Sequence, residues 1–172
     1  EWNLEGRMVE GVAGGNWNVL STLDLPADAE AIETQPKIAV SGDTVFLAWL
    51  QEDAEDISAC VQVYDGDFAN PSAPDCLQPE ATGVVALDLS ELGDGTAVLV
   101  VQDGGSPNHT VKYARVGADG KLGGFSEVDS AEMDLGGAVS VAGLGGGKAL
   151  VAWSRTSVAD GLDIWAQFVQ VD

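Results

Sequence analysis

Apolar residues occupy both faces of one predicted strand, and the chain repeats that strand. In residues 44–50 (TVFLAWL), odd and even positions point to opposite sides of an extended chain, and both sets are apolar. The pattern returns in residues 96–101 (TAVLVV) and 148–153 (KALVAW). Trp49 and Val101 are 52 positions apart, and Val101 and Trp153 are again 52 apart. A fixed period of this size is typical of repeat architectures.

Two apolar faces on one strand require cover on both sides. Such a strand belongs to a parallel α/β sheet or lies between stacked sheets. The parallel arrangement needs crossover helices, and the sequence contains no amphipathic helix of useful length. The pattern therefore predicts stacked antiparallel sheets with about four short strands in each period, which is the content of one β-propeller blade.

Turn signals divide the chain into four units. Residues 1–35 predict two strands of an incomplete blade, residues 36–83 and 84–136 predict four strands each, and residues 137–172 predict three. Asp119-Gly120 is a hairpin signal within the third of these units. We therefore predict an all-β protein of propeller-like blades, with about three and a half repeats in one domain.

The number of units leaves three arrangements open, because propellers usually have four to eight blades. The chain is part of a longer ring, or two chains complete one ring together, or the period misleads and the fold is an ordinary β-sandwich.

The order of features within one unit resembles a known family. A strand led by Pro36, a glycine turn, the strand 45–49 (VFLAW) and a strand that ends in Asp65-Gly66 before Phe68 resemble the blades of sialidase-like (BNR-type) bacterial β-propellers. Residues 41–44 (SGDT) correspond to part of that family's Asp-box. The resemblance implies a propeller fold and, for sialidase chemistry, an arginine cluster that holds a carboxylate.

Candidate catalytic groups are sparse. The arginines Arg7, Arg115 and Arg155 fall in different units, so a sialidase-like site would need them to converge. His109 is the one histidine, which excludes a His-rich metal site, and no serine stands in a G-x-S-x-G motif. We therefore expect a non-catalytic protein, with a glycan-processing enzyme whose site is completed outside this chain as the alternative.

The charge balance argues against polyanionic partners. The chain has 28 acidic and 7 basic residues and a formal net charge of −21. Contact with phosphate groups needs clustered lysine and arginine, so we expect no binding to nucleic acid or to anionic membranes. No apolar run reaches the length of a membrane-spanning helix. The acidic surface keeps the protein soluble in a salty medium, or it binds cations or a basic partner.

Two cysteines, Cys60 and Cys76, fall on neighbouring predicted strands. A disulfide between them would close a short loop and stabilise the fold by about 3 kcal/mol in the chain-entropy model. Such a bond favours an extracellular or periplasmic location. The alternative is two buried free thiols.

Calcium is the cofactor that the acidic turns suit best, since hard cations prefer several oxygen ligands. Asp65, Asp67 and Asn70 offer such oxygens in one turn, and the acidic loop 52–56 is a second group. Neither follows the spacing of an EF-hand loop. The simpler interpretation is a solvated acidic turn without a metal.

Three tryptophans lie outside the repeated strand and are candidate ligand-binding residues: Trp2, Trp17 and Trp165. Aromatic rings at the rim of a blade stack on sugar rings, although packing between blades is the commoner use of such residues.

These observations predict a non-catalytic binding or structural module of a secreted or cell-surface bacterial protein. Its loops, on a rigid scaffold, would recognise a glycan or a protein. A further alternative is a subunit of an extracellular assembly that joins its neighbours through unpaired strand edges.

Overall fold

The computed structural model describes residues 5–12, 16–24, 31–53, 56–66, 71–77, 83–104, 109–131, 135–157 and 161–172. For residues 5–12, 16–24, 130–131, 135–137 and 156–157 it describes the backbone alone. The described residues form an all-β structure of antiparallel sheets, which confirms the predicted fold class at that level. Within the same residues, no helix has the length and apolar character needed to cross a membrane.

The strands follow one another as antiparallel meanders. In chain order they are β1 (Glu5–Val12), β2 (Asn16–Asp24), β3 (Ile32–Ser41), β4 (Thr44–Glu52), β5 (Ile57–Tyr64), β6 (Asp75–Leu77), β7 (Val84–Glu91), β8 (Ala97–Asp103), β9 (His109–Val116), β10 (Ser126–Ala131), β11 (Leu135–Gly145), β12 (Lys148–Ser157) and β13 (Gly161–Gln170). A hairpin, β1-β2, precedes three sheets. We call β3-β4-β5-β6 the first sheet, β7-β8-β9-β10 the second sheet and β11-β12-β13 the third sheet.

This order agrees with the predicted strands, but β3 begins earlier than expected. The sequence placed the start of that strand after Pro36, whereas β3 begins at Ile32. A β-bulge between Thr34 and Lys37, with Gln35 at φ 52°, lets the strand continue past the proline. A bulge leaves a residue out of the ladder, so the missing N–H of proline costs no hydrogen bond there.

The sheets stack through the repeated strand, and the second sheet is buried on both faces. Leu99 and Val101 of β8 belong to the core shared with the first sheet, and Val98 and Val100 belong to the core shared with the third. Every residue of β8 is buried. The prediction that this strand lies between stacked sheets is therefore confirmed.

The third copy of the strand departs from the prediction. Val151 and Trp153 of β12 are buried against the second sheet. Leu150 and Ala152, on the opposite side, are only partly buried. The expectation that both faces are covered is therefore wrong for residues 148–153 in this structure, because no described sheet lies beyond them.

The first strands of the three sheets lie side by side and are joined by polar contacts. Asp88 of β7 pairs with Lys37 of β3 at 3.3 Å, and it accepts hydrogen bonds from the Ser140 hydroxyl at 3.1 Å and the Val141 N–H at 2.9 Å in β11. The approach of β11 to β7 needs a glycine, since a Cβ on Gly143 would lie 1.7 Å from a backbone carbonyl oxygen of β7.

The predicted disulfide is present. Cys60 of β5 and Cys76 of β6 lie opposite each other in the ladder and form an S–S bond. Cys60 is fully buried beside Trp49, on the face of the first sheet that points away from the second. The bond fixes the short outer strand β6 to its sheet, which the few backbone hydrogen bonds of a three-residue strand would hold only weakly.

Candidate binding surface

Of the three predicted ligand-binding tryptophans, Trp165 is the one whose side chain the structure describes. Trp2 lies outside the described residues. Trp17 lies in β2, where the backbone alone is described. Trp165 lies in β13, opposite Trp153 of β12, and is 49% exposed. A half-exposed indole on a strand is a large apolar surface that neighbouring residues leave open to a ligand.

Two charged side chains hold the region around Trp165. The Arg155 guanidinium lies over the Trp165 ring, 5.3 Å from its centroid. Arg155 also pairs with Asp129 of β10 at 3.4 Å, and the same carboxylate oxygen accepts a hydrogen bond from the Trp153 indole N–H at 3.0 Å. We call Asp129, Trp153, Arg155 and Trp165 the tryptophan platform. It joins the second sheet to the third.

The tryptophan platform is rigid, and its exposed surface is partly apolar and partly polar. Its tryptophans sit on paired strands, and Asp129 fixes the position of Arg155, so little side-chain freedom remains to be lost on binding. A cation over an indole contributes about 0.5–1 kcal/mol at an exposed site. The exposed part of the Trp165 ring provides the apolar contact, and the guanidinium provides hydrogen-bond donors beside it.

The two arginines whose side chains are described do not converge, contrary to the requirement of a sialidase-like site. Arg155 lies opposite Asp163 at the start of β13, whereas Arg115 donates to the Val171 carbonyl, 3.4 Å away, just past the end of that strand. Eight residues of extended chain span roughly 26 Å. Each guanidinium also has its own carboxylate, Asp94 for Arg115 and Asp129 for Arg155. Arg7 is described by its backbone alone.

The Asp94 carboxylate caps the turn after β7. It accepts hydrogen bonds from the hydroxyl and the backbone N–H of Thr96, and it pairs with Arg115. The Thr96 hydroxyl, with the Arg115 charge as a smaller cause, lowers the pKa of Asp94 below its usual value. Arg115 therefore acts as a structural cation at this turn.

The predicted calcium ligands are only partly described. Asp65 lines a cavity of about 300 Å³ at the end of β5, and Ser72 and Asp119 contribute to the same cavity. Asp67 and Asn70 lie outside the described residues. Among the described residues, no group of three acidic, histidine or cysteine side chains is placed to hold a metal ion. In the second acidic group, the Asp56 N–H donates to the Asp53 carboxylate at 3.1 Å and so closes a turn.

Burial at the wall of this cavity changes the acidity of one residue. The Tyr64 hydroxyl donates to Gln62 at 2.7 Å. Burial, followed by the negative charge of Glu33, raises the pKa of Tyr64 above its usual value. The tyrosine is therefore a neutral hydrogen-bond donor at physiological pH.

Sequence reasoning did not identify Asp129 and Asp88, whose carboxylates join neighbouring sheets. A signal existed for Asp88, since it is the one acidic residue within the otherwise apolar run 84–89 (VVALDL). A carboxylate at such a position needs a partner, and its partners come from the sheets on either side. Asp129 carries no comparable signal, because it stands among other polar residues.

Comparison with known proteins bears on the fold alone. No family model matches the chain, and no curated protein matches it. A crystal structure of a protein of unknown function from Dyadobacter fermentans DSM 18053 is similar, with a TM-score of 0.65 at 12% sequence identity. The similarity covers 92% of this chain and 43% of that one, so the chain spans less than half the length of the solved structure.

Proposed function

We propose that the chain is part of a β-propeller and acts as a non-catalytic binding module that recognises glycans. The repeated four-stranded sheets, stacked with their first strands side by side, support the propeller arrangement. The resemblance of residues 36–68 to sialidase-like bacterial blades agrees with it. In such a ring, each of the three sheets is one blade.

The half-exposed Trp165, fixed beside Arg155 on a rigid sheet, is the observation that carries this proposal. The flat face of a pyranose ring is apolar C–H surface, which matches the exposed half of the Trp165 indole in polarity. The hydroxyl groups at the edge of the same sugar accept hydrogen bonds from a guanidinium. A site on a strand is also more precisely positioned than a site on a loop.

The chemical class of the glycan follows from the charge of the protein. The net charge of −21 repels sulfated and other polyanionic chains. Arg155 does not offset that repulsion, because Asp129 already neutralises it. The proposed ligands are therefore neutral or N-acetylated oligosaccharides.

A secreted or cell-surface location accompanies this function. The Cys60–Cys76 disulfide supports an oxidising compartment, since such bonds are rare in the reducing cytosol. The strongly acidic surface agrees with exposure to salt, which screens repulsion among its charges.

Binding of neutral and N-acetylated oligosaccharides on a glycan array, followed by calorimetry of the best ligand, tests the proposal. Trp165→Ala should weaken binding at least about tenfold, equivalent to about 1.4 kcal/mol, because the stacking surface is lost. Trp165→Phe should retain part of the affinity. Phe168→Ala is the matched control, since it removes an exposed aromatic ring from the same strand. Absence of binding to any neutral oligosaccharide, or unchanged binding by Trp165→Ala, would contradict the proposal.

A further inference from the structure

The third sheet exposes a continuous apolar surface on the side away from the second sheet. We call Leu150, Ala152, Leu162, Ile164 and Phe168 the outer face. Leu150 pairs with Phe168 across the ladder, and Ala152 lies between them and Ile164. Leu162, Ile164 and Phe168 are 63%, 83% and 73% exposed. Exposed apolar residues that form one contiguous patch mark an interaction surface far more often than scattered ones do.

The repeat identifies what covers such a face. Phe46 and Ala48 of β4 pack against the second sheet. Val98 and Val100, which follow them by one period, pack against the third sheet. Leu150 and Ala152 follow by one further period and meet no described sheet. At both junctions in the structure, therefore, the equivalent face is covered by the next sheet along the chain.

The composition of the outer face differs from that of the solvated surface. The side chains of β12 and β13 that point to this side include no acidic residue, although the chain has 28 of them. The opposite side of β13 carries Asp163 and Trp165. Lys148, at the start of β12, is the one charged residue of these two strands on this side. A surface without carboxylates in so acidic a protein is adapted to contact with another apolar surface.

The outer edge of the third sheet is also open. In the first sheet β6 pairs with the outer edge of β5, and in the second sheet β10 pairs with β9. Within the described residues, β13 has no strand on its outer side. An exposed edge with apolar neighbours is a template for a further strand.

We propose that the outer face docks a further antiparallel sheet of the same repeat, supplied by the same polypeptide. The covering sheet at each existing junction comes from the segment that follows in the chain. The similar solved structure extends far beyond the part that this chain matches. A second copy fits less well, because it would bring another net charge of −21 to the surface. This inference rests on the propeller arrangement proposed above and names what covers its third blade, but it is independent of glycan binding by Trp165.

Thiol labelling of the polypeptide isolated at its natural length tests the proposal. Ile164→Cys introduces a thiol at an 83% exposed position of the outer face. Lys121→Cys, in the turn between β9 and β10 where the native side chain is 64% exposed and no sheet stacks, is the matched control. The described native cysteines are joined in a disulfide and do not react. If a further sheet covers the outer face, a maleimide should label Cys at position 164 at least about tenfold more slowly than at position 121.

Each other outcome would overturn the proposal. Equal labelling rates would leave the outer face uncovered. An intact mass of 17.7 kDa for the natural polypeptide would leave no segment to supply the sheet. Protection that appears only at concentrations where sedimentation detects a dimer would make a second copy the occupant. Both cysteine variants should show one cooperative thermal transition, which shows that the labelling rates report on a folded protein.

Discussion

The second and third sheets are built from the same repeat, but their surroundings differ. In the second sheet, Leu99 faces the first sheet and Val100 faces the third, and both side chains are completely buried. In the third sheet, Val151 is completely buried, whereas Leu150 is only partly buried and its cross-strand neighbour Phe168 is 73% exposed. Similar strands thus have one or two covered faces according to their position in the stack.

This difference shows that the apolar pattern of a strand indicates which of its faces are suited to burial. The pattern does not show which faces are buried. The pattern of β12 is that of a strand with two covered faces, and the structure supplies cover for one. The polar contacts to the third sheet also come from the sheet that covers it. Asp88 and Asp129 of the second sheet both reach across to the third sheet, at its first strand and at its tryptophan platform.

The two sheets should differ most in the free energy of unfolding that is lost when one leucine in each is truncated to alanine. Leu99→Ala removes a completely buried side chain from the second sheet and should lower the free energy of unfolding by about 3 kcal/mol. Leu162→Ala, on the 63% exposed outer face, should lower it by less than about 0.5 kcal/mol. Urea unfolding of the 172-residue chain measures both values. Equal losses would mean that the outer face is already covered in that chain.

A buried amide in the second sheet provides another test of how burial differs between the second and third sheets. Gln102 is 1% exposed, and neither end of its amide has a hydrogen-bond partner in the part of the chain that the structure describes. It occupies the position of Leu50 in the repeat.

Gln102→Leu should therefore raise the free energy of unfolding by about 1–2 kcal/mol, because an unpaired polar group leaves the core. The matched control is Gln167→Leu at an exposed position of β13, where no gain is expected. Thermal unfolding followed by circular dichroism compares the two variants. A loss of stability in Gln102→Leu would show that the amide has an essential partner.

The smallest expected effect concerns the turn at Asp94, which is held by Thr96 and Arg115. The pKa of Asp94 is lowered in the folded state, so its contribution to stability is complete above the ordinary aspartate pKa of about 3.9. That contribution is lost as the pH falls through the lowered value. Because the pair is exposed, we expect less than about 1 kcal/mol.

Asp94→Asn should therefore lose stability relative to the parent at pH 7 and should lose less at pH 2. Thr96→Val tests the cause, since the Thr96 hydroxyl is the main reason for the lowered pKa. Urea unfolding at the two pH values measures the difference. A deficit that is equal at both pH values would assign the effect to packing instead of charge.

Most of the tryptophan platform could be identified only from the structure. Trp165 stood out in the sequence because it lies outside the repeated strand, but nothing in the spacing indicated Arg155 over its ring. The sialidase-like resemblance required converging arginines, and the described pair, Arg155 of β12 and Arg115 of β9, lies beside opposite ends of β13. Such contacts join residues of different strands, and the register of those strands depends on turns and bulges that one sequence specifies poorly.

The sequence by itself predicted the order of the strands and most of their bounds, the start of β3 excepted, and it favoured the disulfide over two free thiols. Alternation of side chains is a local property of an extended chain, so residues 44–50 identify a strand with two apolar faces without reference to any neighbour. Cys60 and Cys76 fell on adjacent strands of one meander, where the next strand along the chain is also the next in space.

The tertiary structure alone decided which of those apolar faces are covered. Burial depends on what lies across the face and not on the strand itself, so β8 and β12 have similar sequences but differ in exposure. The same reason explains the roles of Asp88 and Asp129, since a carboxylate becomes a bridge between sheets only when stacking brings its donors within reach.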